Sequence, residues 1–112
     1  MTYEPQLFET VCLGSIHRLS TEANGGRNRI LFSNPRSKKR NNVSVQLSYD
    51  EGQTWPVAKP LFTGPGAYSD LAVTPDGTIL CLYERGPKSA YETLTLARFN
   101  LQWLTDGEDA LP

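Results

Sequence analysis

Apolar and polar positions along this chain alternate with a period near two over short stretches, and turn-forming residues break the pattern about every ten positions. That rhythm predicts an all-β protein. Strands are predicted over residues 13–20, 28–33, 43–49, 57–62, 68–74, 78–84 and 93–101. Between them stand Asn24-Gly25-Gly26, the polar run 34–42, the turn 50–56, Gly64-Pro65-Gly66, Pro75-Asp76-Gly77 and Gly86-Pro87-Lys88. Glycine in such loops admits positive φ, proline fixes φ, and Asn or Asp side chains bond the local backbone. Residues 1–104 read as one unit, followed by a polar, acidic tail over 105–112 that is expected to be loosely held.

Some of these strands are apolar on both faces. In 78–84, Ile79 and Cys81 point one way while Leu80 and Leu82 point the other. A strand covered on both faces implies a sheet between other sheets, the environment that stacked four-stranded propeller blades create. Counted as blades, the first four strands make a full up-and-down sheet and the last three a sheet lacking its fourth strand. The pattern fits roughly a blade and three-quarters of a larger ring, with the missing outer strand supplied by sequence outside this chain. A self-contained seven-strand sandwich satisfies the same count.

Bulk composition changes this picture little. The 112 residues suffice for one small domain with a modest core, and 38% hydrophobic with 21% charged residues is ordinary for a globular protein. A net charge of −1 argues against nucleic acid or a membrane surface as an obligatory partner. No apolar run approaches membrane-spanning length, and the first residues do not read as a signal peptide. Cys12 and Cys81 both sit in apolar, strand-like segments and read as buried thiols or as a disulfide or redox pair. His17 lies mid-strand and reads as a core or surface residue. The basic stretch 36–40 has no interleaved aromatics on which bases could stack. No motif calls for a metal or other cofactor.

Two patterns carry chemistry. Ser48-x-Asp50-x-Gly52-x-Thr54-Trp55 matches the Asp-box pattern S-x-D-x-G-x-T-W. Its short polar side chains can bond their own turn, Gly52 can take a conformation closed to other residues, and Trp55 can anchor the hairpin. Such a turn is specific for a structure and nearly silent about activity. The second pattern is a spaced trio: Arg40, Tyr68 in Gly66-Ala67-Tyr68-Ser69-Asp70-Leu71, and Glu84. Thr74-Pro75-Asp76-Gly77-Thr78 reads as a three-residue hairpin loop that pairs Thr74 with Thr78. That register sets Tyr68 opposite Glu84 at the open end of the hairpin.

With this spacing, and with flanks such as Leu31-Phe32-Ser33-Asn34-Pro35 and Leu82-Tyr83-Glu84, the chain resembles the C-terminal part of the sialidase (neuraminidase) catalytic domain over about residues 9–104. The resemblance implies part of a six-bladed β-propeller and exo-hydrolysis of terminal α-linked sialic acids from glycoconjugates with retention. Tyr68 would be the nucleophile, since a phenolate avoids the repulsion a carboxylate would meet from the substrate's own carboxylate. Arg40 would be one of three arginines gripping that carboxylate, and Glu84 would orient another of them. The remaining arginines, the aspartic acid catalyst and the glutamate that activates the tyrosine belong to earlier blades of the family and have no counterpart here. Leu13 in Val11-Cys12-Leu13-Gly14-Ser15 replaces a glutamine common in the family.

A phenol with an ordinary pKa of about 10 is a poor nucleophile without its base, so the isolated chain is expected to be inactive. It reads as a piece of a sialidase that needs the upstream blades or self-association to act on a sialylated glycan. The alternative is a non-catalytic, carbohydrate- or protein-binding partial propeller. The plain readings also stand: Tyr68 as a packing residue, Arg40 as one of several surface cations, and Glu84 as a surface partner of Arg85 or Arg98.

Overall fold

A computed structural model describes residues 14–36, 41–86, 88–89 and 92–112. Its strands are β1 (Ser15–Ser20), β2 (Arg29–Pro35), β3 (Val43–Ser48), β4 (Val57–Pro60), β5 (Gly66–Val73), β6 (Ile79–Arg85) and β7 (Thr93–Phe99). One-turn helices α1 (Glu22–Gly25) and α2 (Leu101–Leu104) follow β1 and β7. The first four strands form one antiparallel sheet in the order β1-β2-β3-β4, and the last three form a second, β5-β6-β7. The predicted division into four strands and three is the one observed.

The sheets stack because each has one strongly apolar face. From the first sheet come Leu31, Val43, Val45 and Leu47; from the second, Leu71, Ile79, Cys81 and Tyr83, all buried in one cluster that Leu101 and Leu104 of α2 extend. Burial raises the Cys81 thiol to about 11, so it behaves as a small hydrophobe rather than a nucleophile. Strands β1 and β2 lie against β5, which puts the start of the second sheet beside the start of the first.

The opposite face of the second sheet is another matter. Leu82, Leu94 and Leu96 are 43%, 65% and 55% exposed, and register sets Leu82 beside Leu96. The double burial expected of strand 78–84 is therefore met in full on one face only: on the other, Leu80 is half-buried and Leu82 is exposed.

The C-terminal segment departs most from expectation. The seventh strand stops at Phe99, where Asn100 caps α2 by accepting the Trp103 N–H at 2.8 Å. Beyond the helix the chain folds back onto the first sheet and is held there. Buried Arg29 grips Asp109 through Nε and Nη2, at 2.8 and 2.9 Å, and its Nη1 donates to Ser20 Oγ and Gly25 O. Tyr49 donates its hydroxyl to Asp109 Oδ2 at 2.6 Å. Lys59 Nζ donates to Trp103 O and Asp106 Oδ1, both at 2.5 Å, and lies over the Trp103 ring. The tail is not loose, because a buried guanidinium needs a carboxylate and Asp109 supplies it.

Candidate active site

The turn after β3 is built from its own side chains. Ser48 Oγ accepts the Gly52 N–H and donates to Asp50 Oδ1, each at 2.8 Å. Asp50 Oδ1 also accepts the Thr54 N–H at 2.8 Å, and its Oδ2 accepts the Thr54 hydroxyl at 2.5 Å. These bonds, the one from the Thr54 hydroxyl first, hold the Asp50 carboxyl down at about 2, so it is ionised at any ordinary pH. The turn passes through positive φ at Glu51 (61°) and Gly52 (88°). Glu51 pairs with Arg18 of β1, and Trp55 is buried against Phe32 with ring centroids 6.0 Å apart. Every polar group of Asp50 points inward to the turn, which leaves this motif a structural role.

Tyr68 and Glu84 come together at the open end of the β5–β6 hairpin. The Thr74 N–H donates to Thr78 O at 2.9 Å, with Gly77 at φ 86° closing the loop, and the pairing runs in register from Val73↔Ile79 to Ser69↔Tyr83. It then shifts: Gly66 faces Arg85, so Ala67 and Tyr68 together oppose Glu84. The expected one-to-one pairing of Tyr68 with Glu84 is thus corrected to a β-bulge. A bulge bends its strand and re-aims the side chains beside it. Here Ala67 and Ser69 stay buried while the Tyr68 side chain turns outward, 46% exposed.

Beside the bulge the two sheets pack closely. A Cβ at Gly66 would overlap Val43 Cγ2, so only glycine lets the strand approach β3 this closely. Glu84 Oε1 accepts the Tyr68 N–H at 3.3 Å, tying the acid to the bulged backbone. The rival reading of Glu84 as a partner of neighbouring arginines fails geometrically. Arg85 Nε donates instead to Thr95 Oγ1 at 3.0 Å, its guanidinium lies over Phe62, and no ion pair reaches Glu84 among the described residues.

Tyr68, Glu84, Asp70 and Ser69 share a cleft of about 470 Å³ with Gly14, Leu82 and Leu94. Its described walls carry two carboxylates and no cation. A carboxylate-bearing sugar would be repelled there unless positive groups arrive from elsewhere. Arg40, the cation that spacing suggests, lies outside the described residues, as do Cys12 and Leu13. His17, on β1, pairs across to Leu31 and does not line this cleft. Residues missed by sequence reasoning are Asp70 and Gly14, whose only advance signal is their closeness to Tyr68 and Ser15. No group of His, Cys, Asp and Glu side chains suited to a metal ion occurs among the described residues.

Two antiparallel sheets stacked on one apolar seam, with a tyrosine and a glutamate at a bulged hairpin end, define the class: an all-β domain of the kind solved in sialidases. The Hadza microbial sialidase Hz136 superposes with a TM-score of 0.71 at 28% identity, over 84% of this chain and 18% of that one. In sequence, the chain is 43% identical over 94 residues to the sialidase of Micromonospora viridifaciens, covering 80% of this chain. It is 29% identical over 91 residues to human sialidase-4, covering 74% of this chain. No family model matches the chain. It is a homologue of the sialidases, and it spans 14% and 19% of the length of these two relatives.

Proposed function

We propose that this chain is the nucleophile-bearing part of an exo-α-sialidase, a segment of about one and three-quarter blades of a six-bladed propeller. The observation that carries the reading is Tyr68 itself. It stands outward at a bulge, beside the Glu84 carboxylate, in a cleft whose apolar wall of Leu82 and Leu94 is left uncovered. A self-contained sandwich would have no reason to expose those leucines. A propeller would cover them with the next blade.

In the assembled site Tyr68 attacks the anomeric carbon of a terminal sialic acid as the aglycone departs. The covalent glycosyl-enzyme is then released by water, with two inversions giving retention. Arg40 binds the substrate carboxylate, and Glu84 orients a second arginine contributed by an upstream blade. The described cleft holds two carboxylates and no cation, so this division of labour supplies the charge it lacks. Acting alone, the chain is without its base and acid and is inactive, and its exposed leucines make association with the missing blades or with a second copy favourable.

The test is covalent trapping. This chain would replace the matched 94 residues of the Micromonospora viridifaciens sialidase, and the chimaera would be treated with a 3-fluorosialyl fluoride, which forms the glycosyl-enzyme faster than it hydrolyses. The expected result is a peptide adduct on Tyr68 that is absent after Tyr68→Phe. An active chimaera labelled at another residue would overturn the assignment.

A further inference from the structure

We infer that the residues following Tyr68 are positioning residues for it, and that Ser69 and Asp70 work through two serines of the first sheet. The inference rests on Tyr68 being the nucleophile, but its structural part stands on geometry alone. Ser69 Oγ lies 2.9 Å from Ser33 Oγ, both buried, beside the apolar cluster that Leu31, Val45, Leu71, Ile79 and Tyr83 help to build. One residue on, Ser15 Oγ donates to Asp70 Oδ1 at 3.2 Å and accepts the Leu71 N–H at 3.1 Å. Three consecutive residues after Tyr68 are therefore bonded across to β2 or β1.

The Leu71 N–H has a particular need. Among the described residues strand β5 has a ladder partner on one side only, β6, and Leu71 is buried, so its outward N–H would be orphaned without Ser15. Apolar packing cannot do the same job as this seam. Sliding β5 by two residues along the first sheet would keep its alternation and set apolar Val73 where Leu71 now packs. It would break all three bonds. Directional bonds in an apolar seam select one offset more sharply than non-directional apolar packing does. That offset decides where Tyr68 stands, and a displacement of about 1 Å at a reacting group costs about a hundredfold in rate.

The experiment has two arms, so that this inference and the functional reading fail separately. In the chain alone, amide hydrogen exchange and NMR of Tyr68 would be followed in Ser15→Ala and in Ser33→Ala/Ser69→Ala. We expect Leu71 exchange about tenfold faster or more in the first variant, because its buried N–H loses its acceptor. We expect new or broadened Tyr68 resonances in the second, with the far pairing from Ala72 to Thr78 unchanged. Ser15→Thr, which keeps the hydroxyl, should restore slow exchange. Unchanged Leu71 exchange and an unchanged Tyr68 spectrum would overturn the seam. In the chimaera, the double variant should lower kcat about ten- to a hundredfold with KM and thermal midpoint held. An active chimaera whose double variant keeps its kcat would overturn the positioning role, whereas an inactive parent chimaera would count against the functional reading.

Discussion

The turn between β3 and β4 and the open end of β5 and β6 are both rich in polar side chains, yet they treat those side chains in opposite ways. In the first, Ser48, Asp50 and Thr54 spend their hydrogen bonds on one another and on their own backbone. In the second, Tyr68, Asp70 and Glu84 line a cleft walled by exposed leucine, where Asp70 accepts from Ser15 across the sheets and Glu84 accepts the Tyr68 N–H. A closed polar set is a structural device. The cleft-lining set, on a strand bonded across to Ser33 and Ser15, is where the proposed nucleophile stands.

This contrast can be broken most forcefully in the chimaera. Tyr68→Phe should abolish turnover, by a factor on the order of 10³ or more, while leaving the melting temperature alone. Asp50→Ala should do the reverse, lowering stability with kcat per folded molecule unchanged. Equal losses of kcat from both would erase the distinction. Next in size is the tail clamp. Asp109→Ala leaves Arg29 charged, buried and unpaired, and should cost about 3–5 kcal/mol in urea denaturation of the chain. A loss under 1 kcal/mol would mean the tail is as loose as its composition suggests. Ser48→Ala removes a fully buried hydroxyl that serves the Gly52 N–H and should cost about 1–3 kcal/mol.

Stability should also narrow from both ends of the pH scale. Burial pushes the Asp109 carboxyl up, but the hydrogen bonds from Arg29 and Tyr49 outweigh it and leave its pKa below the ordinary value; Asp50 is held at about 2. Groups depressed in the folded state contribute stability above their unfolded value of 3.8, and lose it as pH falls from there towards 2. Tyr49 runs the other way. Burial first, then its bond to Asp109, raises it to about 12, so its contribution is present below pH 10 and lost between 10 and 12. Thermal melts across that range check both arms, and Asp109→Asn should flatten part of each. The smallest effect on stability belongs to Leu94→Lys and Leu96→Lys, within about 0.5 kcal/mol, because both side chains already face water. Their value lies in sedimentation: the chain alone should self-associate, and these variants should suppress it.

Much of the fold was legible because its causes are local. Strand order, the four-plus-three division and the Thr74–Thr78 hairpin follow from alternation and from turn residues a few positions apart. Where sequence reading failed, the cause was distant. The bulge at Ala67 and Tyr68 follows Gly66, which packs against Val43 of the other sheet, and alternation encodes neither feature. The held tail depends on Arg29 meeting Asp109 eighty positions later. Asn100 caps a helix, but Phe99 and Leu101 on either side continue the apolar pattern of the strand and mask that signal. At the site, spacing brings Tyr68 and Glu84 to one hairpin end, whereas Ser15, Ser33 and Asp70 gain meaning only once the sheets are stacked.

The most direct measurement is hydrolysis of a fluorogenic sialic acid glycoside by the chain alone, by the chimaera and by its Tyr68→Phe form. A half-built site predicts turnover in the chimaera only, lost with the tyrosine hydroxyl. Turnover by the isolated chain, or a chimaera in which Tyr68→Phe changes nothing, would contradict it.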